Sequence, residues 1–292
     1  MSRDKASTLI MALQSVRDFL ATWASYLRLL PPKPQDSQHQ HRPDSQRFKI
    51  HVVDDTDFPT LFAALWHSFE NPYQGILRLF FPILNDDYTI SLENCTSAQL
   101  EEYHREQPNV TWITILDTQE GNRVAAAAKW YFFEQSPFPE HGEEVNHVAE
   151  WYPEGVGREF ASLAASQFER PREVMGRRGH AFLHIAFTHP SYRRRGLGKM
   201  FMEWGLRIAD ERGLECWLDA TAHGRPLYES FGFRQILENS VNPVPEREMD
   251  EKEWQEWRHF EKTLLPIDVT VMWRPPRGVF VEGETVEPRM PA

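Results

Sequence analysis

Residues 182–199 read Phe182-Leu183-His184-Ile185-Ala186-Phe187-Thr188-His189-Pro190-Ser191-Tyr192-Arg193-Arg194-Arg195-Gly196-Leu197-Gly198-Lys199, an apolar strand that runs through a basic, glycine-spaced turn into an amphipathic segment. Leu197, Phe201, Trp204, Gly205 and Ile208 recur every three or four residues, with Lys199, Glu203, Arg207 and Glu211 off that stripe. This spacing predicts a helix from about Gly198 to Arg212. Its N-terminus falls on the triple arginine. The first turn of a helix has unpaired N–H groups and a partial positive charge, so an anion there gains hydrogen bonds and dipole attraction. Gly196 and Gly198 would let a diphosphate approach without meeting a Cβ. The pattern Arg-x-x-Gly-x-Gly is one glycine short of a dinucleotide fingerprint and lacks the Gly-Lys-Ser/Thr of a nucleoside triphosphate loop. A site for a phosphorylated ligand other than ATP remains.

The charge balance sharpens this reading. The 292-residue chain carries a formal charge of −11, yet four cations fall in the seven residues from Arg193 to Lys199. Basicity this local favours an anionic cofactor over general nucleic-acid affinity. With 41% hydrophobic and 13% aromatic residues, the chain has material for one large domain or two small ones. Cys95 and Cys216 are too few for a disulfide framework, which points to a reducing compartment, the cytoplasm first and the nucleus as the alternative. No apolar run reaches the roughly 18 residues needed to span a bilayer, and no His or Cys pair has metal-site spacing, so no metal is expected.

Outward from the motif, Leu9, Leu13, Val16, Leu20, Trp23, Leu27 and Leu30 form a seam of helical period stopped by Pro31-Pro32. Residues 1–30 read as an amphipathic helical segment, and 31–46, rich in Gln, Ser, His and Pro, as a flexible linker. The seam has three candidate partners: the body of the protein, a second chain in a homodimer, or a membrane surface. A transit peptide fits less well because Asp4 and Asp18 interrupt it. From Phe48 to Val52 a strand is expected, then a cap at Asp55-Thr56 and a helix carrying Phe58, Leu61, Phe62, Leu65 and Phe69, broken at Asn71-Pro72. A short helix over Gln74–Phe81 and a hairpin of Val110–Leu116 with Val124–Phe133 about Glu120-Gly121-Asn122 follow. The long connection 134–179 contains one expected helix at Phe160–Phe168 and reads as a lid or a packing insertion. Later come a strand at Glu215–Ala220, another from Phe233 to about Leu237, a helix over Glu246–Lys262 with Trp254 and Trp257 in the core, a strand at Ile267–Trp273 and a loose tail over 276–292.

The motif strand, the Arg193-x-x-Gly196-x-Gly198 turn and the downstream Gly224-Arg225-Pro226-Leu227-Tyr228-Glu229-Ser230-Phe231-Gly232-Phe233 together resemble the GNAT superfamily of acyl-CoA-dependent N-acetyltransferases. Within it the wording of Trp204-Gly205-Leu206 and Ala209-Asp210 is most similar to a fungal branch. The resemblance is specific over 180–236 and looser over 47–275. It implies an α/β (α+β) fold, a mixed central sheet flanked by helices, here with an extra N-terminal helix. It also implies acetyl-CoA as co-substrate, held by Ala186, Phe187 and Thr188 on a bulged, splayed fourth strand and by Arg193, Arg194, Arg195, Gly196, Leu197, Gly198 and Lys199. Tyr228 matches the tyrosine that protonates the leaving thiolate. Where many relatives place a carboxylate base this chain has His184, so His184 is the expected base, with His180 four residues before it. His189 reads as structural, and Glu150, Asp219 and His223 are lower candidates on the acceptor side. The acceptor implied is a small primary amine. A protein lysine or N-terminal amine, and a non-catalytic acyl-CoA sensor or scaffold, are the alternatives.

Overall fold

The computed structural model describes residues 47–139 and 147–290, so the segments expected over 1–30 and 31–46 lie outside the described residues. A seven-stranded sheet in the order β1-β2-β3-β4-β5-β7-β6 forms the centre. Its strands are β1 (Phe48–Val52), β2 (Val110–Asp117), β3 (Arg123–Phe133), β4 (His180–Thr188), β5 (Glu215–Ala220), β6 (Arg234–Ser240) and β7 (Asp268–Arg274). Every neighbouring pair is antiparallel except β4 with β5. A parallel pair needs a crossover, and α5 (Leu197–Arg212) supplies it.

The helices before α5 are α1 (Phe58–Glu70), α2 (Gly75–Phe80), α3 (Tyr88–Arg105) and α4 (Val156–Met175); α6 (Arg225–Glu229) and α7 (Glu251–Leu264) follow it. Strand alternation divides the core between the two faces of the sheet. Ile113, Ile115, Ala126, Ala128 and Trp130 meet Phe201, Met202, Leu206 and Ala209 of α5 on one face. On the other, Trp112, Val124, Ala127 and Phe187 meet Phe58, Leu61, Phe62 and Leu65 of α1. The buried stripe of α5 runs through Met202, Leu206 and Ala209 rather than Trp204 and Ile208, which are only part-buried. The reason is Gly205: a Cβ there would lie 2.2 Å from the Trp130 indole, so the helix is pressed onto the sheet along that side and turned toward it.

Local signals moved several boundaries. The first cap is Asp54, not Asp55-Thr56: its carboxylate accepts from the Thr56 N–H, and Asp57 closes a capping box around a short 3-10 turn before α1. The helix expected over Glu246–Lys262 starts at Glu251, where Asp250 and Glu253 form a second capping box. Trp257 of this helix is fully buried against Phe160, whereas Trp254 is 36% exposed, so only one of the two indoles enters the core. The 18 residues of α3 carried no expectation because only Ser91 and Leu92 of them are buried; a helix this polar lacks the apolar stripe that reveals one. In the long connection, α4 buries Phe160, Ala161, Ala164 and Phe168 against α7, which makes it a packed layer of the domain. Residues 276–290 bear contacts: the Arg234 guanidinium lies 3.9 Å from the Phe280 ring centre, and Arg178 donates to the Val286 carbonyl at 3.2 Å. Among the described residues no helix is long and apolar enough to cross a membrane.

Replacing Gly205 with Ala forces Trp130 or the α5 backbone to move, and overpacking of this kind costs about 1–3 kcal/mol. Urea unfolding of the Gly205→Ala protein should show a midpoint lowered accordingly, and an unchanged midpoint would mean that α5 is not seated on Trp130.

Candidate active site

The site is built around the place where β4 leaves β5. The two strands pair only over His180–Leu183 against Glu215–Leu218, while β4 continues to Thr188 along β3. On the β3 side, Leu183 faces Trp130 and Ile185 faces Lys129, leaving His184 as the extra residue of a bulge. A bulge bends its strand and increases the local twist, and here it coincides with the parting of the strands. From His184 to Thr188 the edge of β4 that faced β5 has no ladder partner, so the N–H groups on it point into the opening. This is the bulged and splayed strand expected at Ala186–Thr188, with the bulge itself two residues earlier.

The basic turn lies at the end of the same strand. Arg194 has φ 65° and Gly196 φ 78°, both left-handed, and successive residues of alternating handedness turn their N–H groups to one side as an anion-binding nest. The backbone N–H groups of five consecutive residues, Arg194 to Gly198, find no acceptor among the described residues, whereas those of Arg193 and Lys199 on either side are bonded to Pro190 and Gly196. The two glycines have different tasks. Nothing lies within 4 Å of where a Gly196 Cβ would be, but a Gly198 Cβ would meet a Leu227 methyl at 2.7 Å. Gly196 therefore keeps the turn in its left-handed state and open, and Gly198 lets α6 dock on the first turn of α5.

The basic side chains also divide. Arg193 bends back, donating to the Ser68 carbonyl at 3.0 Å and the Thr188 carbonyl at 3.3 Å, so it ties α1 to the end of β4. Arg195 lies 5.6 Å over the Tyr192 ring, and the ammonium of Lys199 is 3.5 Å from the exposed Glu203. Arg194, Arg195 and Lys199 are exposed beside the free amides. Tyr228 on α6 stands over Gly224, its ring edge 3.0 Å from where a Cβ would be, and packs edge-on against Phe233 with ring centres 6.2 Å apart. Burial pushes its phenol up to about 12, and its hydroxyl has no hydrogen-bond partner among the described residues.

On the opposite face, His184 lies between the Tyr131 and Phe182 rings, at 5.7 and 5.4 Å. Burial, then the Lys129 cation, lowers it to about 4, and its Nδ1 is buried without a partner. Lys129 is itself fully buried in β3 and pairs at 2.5 Å with Glu102 of α3, to which Tyr131 also donates at 3.1 Å. Burial would raise the Glu102 carboxyl, but the Lys129 charge and hydrogen bond outweigh it and hold it at about 2. The Glu102 carboxylate is thus ionised at working pH, and it opposes the burial that pushes the Lys129 ammonium down. From α4, Arg172 packs on Phe182 at 3.8 Å and is paired with Glu169 at 3.0 Å. Asp219 of β5 lies just beyond the last β4–β5 pair, and burial, then Glu169, raises it to about 7.

Other sequence candidates fall elsewhere. His180 is fully buried, bonded to the Arg178 carbonyl at 2.8 Å and stacked with Phe138; it belongs to the core. His189 caps the Pro190–Tyr192 turn and stacks on His67 at 4.9 Å, which bears out its structural reading. Glu150 and His223 are exposed. Sequence reasoning missed Lys129, Glu102, Glu169 and Arg172. Lys129 carried a signal, a lone charge in the run Val124–Phe133, but Glu102 sits on the helix that no apolar stripe revealed.

Comparisons agree with this geometry. Residues 77–233, more than half of the chain, match the family described as the acetyltransferase (GNAT) family. Among solved structures, arylalkylamine N-acetyltransferase 2 from Aedes aegypti superposes with a TM-score of 0.50 at 12% identity, covering 78% of this chain and 98% of that one. The polyamine N-acetyltransferase of Drosophila melanogaster, an enzyme that forms N-acetylagmatine, gives 0.50 at 15% identity, covering 77% and 97%. A phosphinothricin acetyltransferase of Sinorhizobium meliloti in complex with AcCoA gives 0.44 at 11% identity, covering 83% and 93%. No curated protein sequence matches the chain. A mixed seven-stranded sheet that opens between β4 and β5, a basic turn of free amides at the start of α5 and a family match across both carry one conclusion: the chain belongs to the GNAT family and is an N-acetyltransferase.

Proposed function

We propose that this protein transfers the acetyl group of acetyl-CoA to a primary amine of a small molecule, by direct attack of the amine on the thioester. The observation that carries the reading is the run of five unpaired amides, Arg194 to Gly198, at the free end of the opening. These amides fit a diphosphate, because oriented N–H groups at a helix N-terminus are an anion site, and Arg194, Arg195 and Lys199 add charge beside them. Arg193, spent on Ser68 and Thr188, positions the turn instead of touching the ligand. The free edge of β4 offers the N–H groups of Ala186 and Thr188 to the pantetheine arm and the thioester oxygen, while that of Phe187, between them, faces β3. A preorganised donor of that sort contributes about 3 kcal/mol to the transition state.

Tyr228 is the group for the departing sulfur. With its phenol at about 12 it stays protonated at working pH, so it acts as a hydrogen-bond donor to a thiolate of ordinary pKa about 8.5. Full proton transfer to sulfur is completed only because the nitrogen that has just been acylated is a far stronger acid and returns a proton to the phenol. His184, lowered to about 4 and neutral near pH 7, lines the acceptor side and is a weak proton acceptor there. The chain's formal charge of −11 and the carboxylates of Glu169 and Asp219 favour a cationic acceptor. The arylalkylamine and polyamine enzymes named above are of the same chemical kind.

The test is calorimetry with acetyl-CoA, followed by thiol release with tyramine, spermidine, agmatine and a lysine peptide. Micromolar binding with turnover of a free amine in preference to the peptide is expected, and turnover of the peptide alone would transfer the activity to proteins. Gly196→Ala should weaken acetyl-CoA binding at least tenfold, while Gly213→Ala, equally left-handed and equally open at φ 67°, should leave it unchanged; equal affinities for both would remove the turn from the site. Tyr228→Phe should lower kcat about ten- to a thousand-fold with acetyl-CoA affinity retained. Wild-type kcat in that variant would reduce Tyr228 to packing.

A further inference from the structure

Asp219 is a part-buried carboxylate of β5 that accepts no hydrogen bond among the described residues. It is the first residue of β5 past the end of the β4–β5 ladder, where Leu183 faces Leu218. Alternation along β5 sends Leu218 and Ala220 into the cluster beneath α5, and Trp217 to the opposite face with Phe182, so Asp219 projects on the Trp217 side at the mouth of the opening. Its neighbour across β7 is the apolar Val271. The charged groups acting on it from the facing helix are Glu169 and Arg172 of α4, and Arg172 is already committed to Glu169 and to the Phe138 and Phe182 rings. On β4 the titratable neighbour is His184, with the Lys129–Glu102 pair of β3 and α3 behind it. The carboxylate is part-buried and not sealed from the opening, so its oxygens are free to take a donor from an entering ligand.

We propose that Asp219 is the general base, the carboxylate that takes the proton from the acceptor's ammonium group, and that the acceptor is therefore a strongly basic alkylamine that enters the site charged. This rests on the acetyl-transfer reading given above. An alkylammonium of pKa about 10 gives one proton to Asp219, and the freed nitrogen lone pair forms the C–N bond with the thioester carbonyl carbon. The C–S bond breaks, sulfur leaving with the electron pair and taking the Tyr228 phenolic proton. The second ammonium proton, still on the acylated nitrogen, passes to the Tyr228 phenolate, and Asp219 releases its proton to solvent. The products are the N-alkylacetamide, the free thiol and one proton. His184, whose imidazole is pushed down by burial and by the Lys129 cation while burial pushes the Asp219 carboxyl up, is the weaker proton acceptor and lines the pocket between the Tyr131 and Phe182 rings.

The raised carboxyl fixes the sign of the pH dependence. Asp219 is a base only when ionised, so kcat/KM must rise with pH through about 7 and then level. The experiment is a pH profile of kcat/KM, with tyramine, spermidine or agmatine, whichever wild type turns over fastest, for wild type, Asp219→Asn and Asp219→Glu, with acetyl-CoA affinity measured in parallel. For Asp219→Asn the expected result is a fall of about a hundredfold at pH 7, with the rising limb moved up toward the pKa of the amine itself, because solution must then supply the neutral amine. Acetyl-CoA affinity should hold, and Asp219→Glu should recover part of the rate with a limb near neutrality. An Asp219→Asn enzyme with wild-type kcat/KM and limb overturns the assignment while leaving acetyl transfer standing. Loss of acetyl-CoA binding in that variant also overturns it, since the role would then be structural. A wild type that binds acetyl-CoA and acetylates none of the three amines refutes the small-amine reading itself, and this inference falls with it.

Discussion

The end of the β4–β5 ladder after Leu183 and Leu218 is the constraint on which the site depends. Two strands that stayed paired would satisfy their own N–H and C=O groups and leave nothing for a ligand. The bulge at His184 is what separates them. An extra residue on β4, opposite Lys129 and Trp130, breaks the two-residue rhythm and adds twist, so the segment His184–Thr188 can follow β3 but no longer β5. The cost is an edge of unpaired backbone inside the domain. That cost is tolerable only if water or a ligand completes the hydrogen bonds, which is the ground for proposing this edge as the binding surface.

The rest of the architecture holds that opening in place. Trp130, the residue beside the bulge, receives α5 at Gly205, so the crossover helix is fixed against the same strand that carries the irregularity. Gly198 then accepts Leu227, which brings α6 and Tyr228 to the first turn of α5. On the other face a fully buried lysine is paired with Glu102, whose charge offsets the burial that pushes the ammonium down. Removing one partner of such a pair costs more than the pair itself contributes, often about 3–5 kcal/mol. The two faces thus differ in chemistry, and the Tyr228 phenol belongs to one while the carboxylate Asp219 belongs to the other.

Much of this was legible in the chain. The apolar run to Thr188, the three arginines and the glycine spacing located the strand, turn and helix almost to the residue, because each rests on a local rule of period or backbone freedom. Three things were not legible for physical reasons. The helix α3 is nearly all polar, so period could not reveal it, and Glu102 went with it. Arg193 looked like its two neighbours, and only the fold shows that it reaches Ser68 on α1. The choice between His184 and Asp219 depends on burial and on charges brought from α3, β3 and α4, which no local pattern encodes. Gly198 was expected to serve ligand approach, and the fold adds the docking of Leu227 to its uses; the two uses of glycine have one sequence signature.

The central claim is that acetyl-CoA completes the unpaired backbone groups of the opening. Amide hydrogen exchange measured with and without acetyl-CoA reads this directly. The account predicts slowed exchange confined to the amides of 194–198 and to the free edge of β4 over 184–188, with the paired residues His180–Leu183 unaffected. Slowed exchange elsewhere in the domain, with these two segments unchanged on addition of saturating acetyl-CoA, would contradict it.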